Sequence, residues 1–96
     1  MRLHLVSQSP FSGPAFSDCL RHAGEGDTVL LIQDGVYAAL AKTAGEAKAK
    51  SVRIVALDVD IYARGIAAHI NPAISLVNDR EFVALTVDHE STQSWF

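Results

Sequence analysis

Short apolar runs alternate along this chain with stretches in which apolar residues recur every three or four positions. Leu3, Leu5 and Val6 mark a first strand. Residues 7–13, Ser-Gln-Ser-Pro-Phe-Ser-Gly, are turn-forming. Pro14 suits the first position of a helix capped by Ser12 or Gly13. Phe16, Cys19, Leu20 and Ala23 share one face of that helix, and Gly24 and Gly26 end it. Residues 28–32 form a continuous apolar run with β-branched members, as in a strand buried on both faces. A second helix is predicted over 35–42, with 42–50 either extending it or serving as a connection. Residues 52–57 read as a third strand. Residues 61–69 read as a helix, broken at Asn71-Pro72, and 73–77 as a fourth strand. Beyond it two periods compete. Val83, Leu85 and Val87 alternate like a strand, whereas Phe82, Leu85, Thr86 and His89 repeat like a helix. Asn78 or Asp79 can cap such a helix, which favours the helical reading.

Strands alternating with helices predict an α/β fold: one domain over 1–96, with a mainly parallel sheet of four or five strands covered on both faces. A sheet this small has two edge strands and short helices to cover it, a surface commonly completed by another subunit. Trp95 and Phe96 end the chain with two large aromatics. They either dock on a partner or fold back on their own core.

Composition narrows the picture. The 96 residues are 49% apolar and 20% charged, the balance of a folded chain. Fourteen alanines favour close approach of elements over a core of bulky side chains. The net charge is −3, and the only dense basic patch is Lys42, Lys48, Lys50 and Arg53, interrupted by Glu46. Direct nucleic-acid binding needs a larger basic surface than this. The lone cysteine, Cys19, excludes an internal disulfide and a cysteine-rich metal site. The N-terminal segment lacks a signal-peptide pattern, and no apolar run approaches membrane-spanning length. A cytoplasmic location is expected.

Ligands of parallel sheets usually meet the protein beyond the carboxyl ends of the strands. Three predicted loops lie there. The first, Ser7 to Gly13, offers Ser7, Ser9 and Ser12 before a helix N-terminus, where an anion or a flavin phosphate could sit. The competing reading is a serine-rich turn that caps a helix. Asp34 follows a buried strand, either as the cap of the next helix or as a working acid or base. Asp58 and Asp60 could share a divalent cation, or one of them could cap the helix carrying Ile61. A phosphoryl-receiver reading fails, because Ser-Gln-Ser follows the first strand and no lysine occurs after Lys50. His4, His22, His69 and His89 lack metal-ligand spacing. Cys19 is the only candidate sulfur nucleophile, with His22 three residues on. It shares the apolar face of Phe16, Leu20 and Ala23, which favours a small buried hydrophobe.

Four stretches, "LHLVSQSPF", "EGDTVLLIQDGVYAAL", "VRIVALDVDIYARGI" and "FVALTVDHESTQSWF", resemble in order the TusB/DsrH family of sulfur-relay proteins. The resemblance covers nearly the whole chain. It implies a small Rossmann-like three-layer α/β/α domain that assembles with TusC/DsrF-like and TusD/DsrE-like subunits into a heterohexamer passing persulfide sulfur between proteins. That relay serves either 2-thiolation of tRNA wobble uridine or dissimilatory sulfur oxidation. The resemblance places the principal sulfur-accepting cysteine on the TusD/DsrE-like subunit. Cys19 matches the first-helix cysteine frequent in the DsrH branch, and so becomes a candidate auxiliary carrier. No cofactor is implied. Two other readings stand beside it: a stand-alone anion- or flavin-binding module using Ser7 to Gly13, and a structural homo-oligomer.

Overall fold

The computed structural model describes residues 1–40 and 52–96. In chain order it contains β1 (Arg2–Val6), α1 (Ala15–His22), β2 (Thr28–Leu31) and a 3-10 helix (Gln33–Ala39). After the undescribed stretch come β3 (Arg53–Leu57), α2 (Asp58–Ala63), a 3-10 turn (Ala67–His69), β4 (Ser75–Val77), α3 (Asp79–Asp88) and β5 (Ser91–Trp95). The sheet order is β4-β3-β2-β1-β5, with every neighbouring pair parallel. The α/β fold expected from the sequence is therefore the fold observed. The reading of 42–50 and the basic patch Lys42, Lys48 and Lys50 lie outside the described residues.

The two-residue period of the strands sorts the core into two layers. Val6, Val29, Leu31, Ile54 and Ala56 face one way, toward Phe16, Cys19 and Leu20 of α1, Val36, Ala38 and Ala39 of the 3-10 helix, and Ile61 of α2. Leu3, Leu30, Val55 and Leu57 face the other way, toward Leu85 and the partly buried Phe82 of α3. β2 is buried along its whole length, as its unbroken apolar run requires. The alanines let the 3-10 helix lie directly on the sheet, with Ala38 and Ala39 fully buried.

Several expected boundaries move, each for a local reason. The segment after β2 is a 3-10 helix rather than an α-helix. Asp34 does not cap it: its N-cap is Ile32, with no capping side chain. Pro14 is the N-cap of α1 rather than its first residue. Gln8 supplies what a capping side chain would, its Oε1 accepting the Ala15 N–H at 3.1 Å. The helix expected over 61–69 begins earlier, at Asp58, and stops at Ala63. Gly65 adopts φ +65°, and the N–H groups of Gly65 and Ile66 turn back to the carbonyls of Tyr62 and Ile61. This is a Schellman stop, which glycine makes without strain. The polar run Ser91–Trp95 forms β5, a strand that no apolar pattern announced. Its backbone pairs with β1 from Arg2↔Ser91 to Val6↔Trp95.

Candidate functional site

The carboxyl end of the sheet brings Asp34 of the second expected loop and Asp60 of the third into one network. Gln33 leaves β2 at φ +49°, a left-handed conformation uncommon outside glycine. Its N–H donates to Asp60 Oδ2 at 2.7 Å, so Asp60 of α2 holds the start of the 3-10 helix from across the loop. Arg64 lies between the two acids. Its Nε donates to Asp34 Oδ1 at 3.0 Å, and its Nη1 donates to the Asp60 carbonyl at 3.2 Å and lies 3.5 Å from Asp60 Oδ1. Gly35 is forced by contact: a Cβ there would stand 2.0 Å from the Val6 carbonyl oxygen. Neither Asp58 nor Asp60 caps α2, whose N-cap is Leu57 with no capping side chain, although both lie in its first turn, where a negative charge suits the helix dipole. An acid–arginine–acid clip of this kind braces a turn, with Arg64 shared between the two carboxylates. Among the described residues no group of three or more metal-ligating side chains is found.

The Ser7 to Gly13 loop is largely self-satisfied. Ser9 Oγ accepts the Phe11 N–H at 3.2 Å, and the Gln8 carboxamide fills the space beside Gly13 while it accepts from Ala15. The donor an anion would want at the start of α1 is thus taken by Gln8.

Cys19 is completely buried in α1, within the layer formed by Phe16, Leu20 and Val6. His22 is exposed, and its Nδ1 donates to the Asp18 carbonyl at 2.8 Å, so the ring turns along its own helix. Its ring centroid lies 5.4 Å from that of Trp95. Trp95 folds back onto its own core, whereas Phe96 is 86% exposed.

A second constellation sits on the α1 side of β1 and β5. His4 is completely buried. Its Nε2 lies 2.9 Å from Asp27 Oδ2, and its Nδ1 accepts the Trp95 indole N–H at 3.1 Å. Asp27 also accepts the backbone N–H groups of Arg2 and Gly24, each at 2.9 Å. Burial works to raise the Asp27 pKa, but the hydrogen bonds from His4, Gly24 and Arg2 outweigh it and hold the carboxyl at about 2, against 3.8 ordinarily. A shallow cleft of about 330 Å³ opens beside it, lined by Met1, Arg2, His22, Asp27 and Glu90 among others. Pattern reading singled out neither His4 as a packing residue nor Asp27 at all. The available signal was a histidine at an inward position of a buried strand, beside Val6, which demands a polar partner.

A five-stranded parallel sheet between helical layers, with a braced acidic turn at its carboxyl end and one buried thiol, defines a small α/β protein with little chemistry of its own on display. Two solved structures share this architecture. The ychN protein of E. coli superposes with a TM-score of 0.78 at 14% identity, covering 98% of both chains. Protein Tm0979 of Thermotoga maritima gives 0.71 at 27% identity, covering 94% of this chain and 95% of its own. The sequence profile described as "DsrH like protein" matches residues 8–92. Protein TusB of Cronobacter sakazakii is 39% identical over 95 residues, 97% of this chain and 99% of the relative. The chain belongs to the TusB/DsrH family, whose members are parts of multi-subunit sulfur-relay complexes.

Proposed function

We propose that this chain is an assembly subunit of a heteromeric sulfur-relay complex that passes persulfide sulfur between proteins, with TusC/DsrF-like and TusD/DsrE-like partners in a heterohexamer. The observation that carries the reading is the 39% identity to a TusB protein across almost the entire length of both chains. The burial of Cys19 supports an assembly role over a principal catalytic one. A thiol that takes up sulfur must be accessible and partly ionised, and this one is enclosed in the α1 layer. The principal exchange then belongs to a partner thiol. Cys19 enters as an auxiliary carrier that works only when α1 or its neighbours move. The net charge of −3 suits contact with proteins rather than with tRNA. No helix among the described residues is long and apolar enough to cross a membrane, which agrees with a cytoplasmic relay. The same complex serves tRNA wobble-uridine 2-thiolation or dissimilatory sulfur oxidation.

Co-purification of the tagged full chain from its native host, followed by mass spectrometry, tests the assembly. Two distinct partners in equal ratio with the bait are expected. A chain recovered alone, as a monodisperse species that transfers sulfur at full rate, overturns the proposal. For the auxiliary role, Cys19→Ser in the reconstituted complex is expected to slow sulfur transfer without dissolving the complex. Unchanged transfer, together with alkylation no faster than for a buried thiol, removes Cys19 from the relay and leaves it a packing residue.

A further inference from the structure

Among the described histidines, arginines and carboxylates, His4 alone is completely buried, and the sulfur-relay reading gives it nothing to do. Its two neighbours settle its protonation. The Trp95 indole nitrogen can only donate, so His4 Nδ1 is an acceptor and carries no proton. The Asp27 carboxylate accepts, so the ring proton sits on Nε2. The only place for a second proton is therefore the lone pair that holds Trp95.

We propose that His4 is a proton-operated latch on Trp95: protonation at Nδ1 and the indole hydrogen bond exclude one another, and acidification swings the indole off the core. The bond lost is Trp95 Nε1–H to His4 Nδ1, and the proton gained comes from solvent onto the Nδ1 lone pair that the indole vacates, while the Nε2–H keeps its hydrogen bond to Asp27. Two opposed N–H donors then face each other at a spacing set for one hydrogen bond. β5 itself stays in place, because its backbone pairing with β1 is independent of the ring, and the Ser7 N–H still donates to the Trp95 carbonyl at 3.3 Å. The swing uncovers the end of the α1 layer on which Trp95 packs.

The charged and titratable groups around the latch come from each packed element. Asp27, in the loop before β2, favours the imidazolium, and it stays ionised because its pKa is held at about 2. From α1, His22 lies against the indole and Cys19 lies in the same core layer. From β2, the residue in register is the apolar Val29, and from β5 it is Gln93, which accepts from the Arg2 guanidinium. The N-terminus and Glu90, 3.5 Å apart, complete the cleft rim beside Asp27.

Trp95 is the only tryptophan, so its fluorescence reads the latch directly. The full chain is titrated from about pH 8 to about pH 5, the span in which histidines change charge, with far-UV circular dichroism in parallel. The emission is expected to move to the red and acrylamide quenching to rise severalfold, with the dichroism unchanged. Asp27→Asn removes the charge that favours the imidazolium and is expected to move the midpoint lower. His22→Gln, which removes the other ring beside the indole, is expected to leave the midpoint in place, and His4→Gln to abolish the transition. Emission constant until the dichroism reports unfolding overturns the latch. So does a transition that vanishes in His22→Gln, or a midpoint that Asp27→Asn does not move.

Discussion

At the scale of single residues, the turn after β2 separates charge from contact. Asp34 sits beside Arg64 but is 63% exposed, so solvent screens the pair. Asp60 is 21% exposed and also takes the Gln33 N–H, which has a strained backbone to hold. Asp34→Ala is therefore expected to cost less than about 0.5–1 kcal/mol. Asp60→Ala should cost about 1–2 kcal/mol, because it leaves the Gln33 backbone donor without its acceptor and removes one of the two carboxylates beside Arg64. Urea denaturation of the two variants checks the ranking, and equal losses would contradict it. Gly35→Ala should be harsher than either. The new methyl meets the carbonyl of Val6, the same oxygen that accepts the Ile32 N–H at 3.0 Å, so the sheet and the 3-10 helix cannot both keep their positions. A loss of about 3 kcal/mol or more, or failure to fold, is the expected outcome in the same measurement.

At the scale of elements, α3 shows how a cap can decide between two periods. Asn78 accepts the Glu81 N–H at 2.9 Å, while Glu81 accepts the Asn78 N–H at 3.0 Å, a reciprocal capping box. With the start pinned, the helical period wins: Phe82 and Leu85 turn to the sheet, and Val83 and Val87 are left 62% and 77% exposed. Asn78→Ala is expected to destabilise the protein by about 1 kcal/mol, read from the shift of the thermal midpoint, and Asn78→Asp by much less. β5 is the opposite case. Its residues carry little apolar signal, and it exists because β1 offers an edge whose backbone groups it pairs along its whole length. α2 was legible as a helix but not in extent, because a glycine at φ +65° closes it whatever the apolar spacing beyond.

At the scale of the whole molecule, Asp27 joins the sheet to the loop that follows α1. Its side chain takes the Arg2 and Gly24 N–H groups and the His4 ring, and its carbonyl takes the Arg53 N–H from β3. The linkage has a definite sign. Its pKa is lowered from 3.8 to about 2, so the stabilisation is fully present above the unfolded value and is lost as pH falls from there through about 2. The expected loss is about 1–2 kcal/mol, somewhat below the full linkage value because the carboxylate borders the open cleft. Denaturant titrations at descending pH check it. A stability that keeps its full value down to about pH 2, or an Asp27→Asn variant with the same acid dependence as the parent, would refute it.

The amino-acid sequence by itself determined the α/β class, four of the five strands, the capped helix α3 and the family. Those rest on information carried within a few residues: apolar period, turn chemistry and ordered motifs. Only the tertiary structure decided that Cys19 is enclosed, that Asp60 rather than Asp34 secures the turn, that Ser91–Trp95 is a strand, and that His4, Asp27 and Trp95 meet. Each of these depends on partners far apart in the chain, 91 residues in the case of His4 and Trp95. A hydrogen bond across such a span leaves no periodic trace in either segment, because it is the packing of the sheet that brings its ends together.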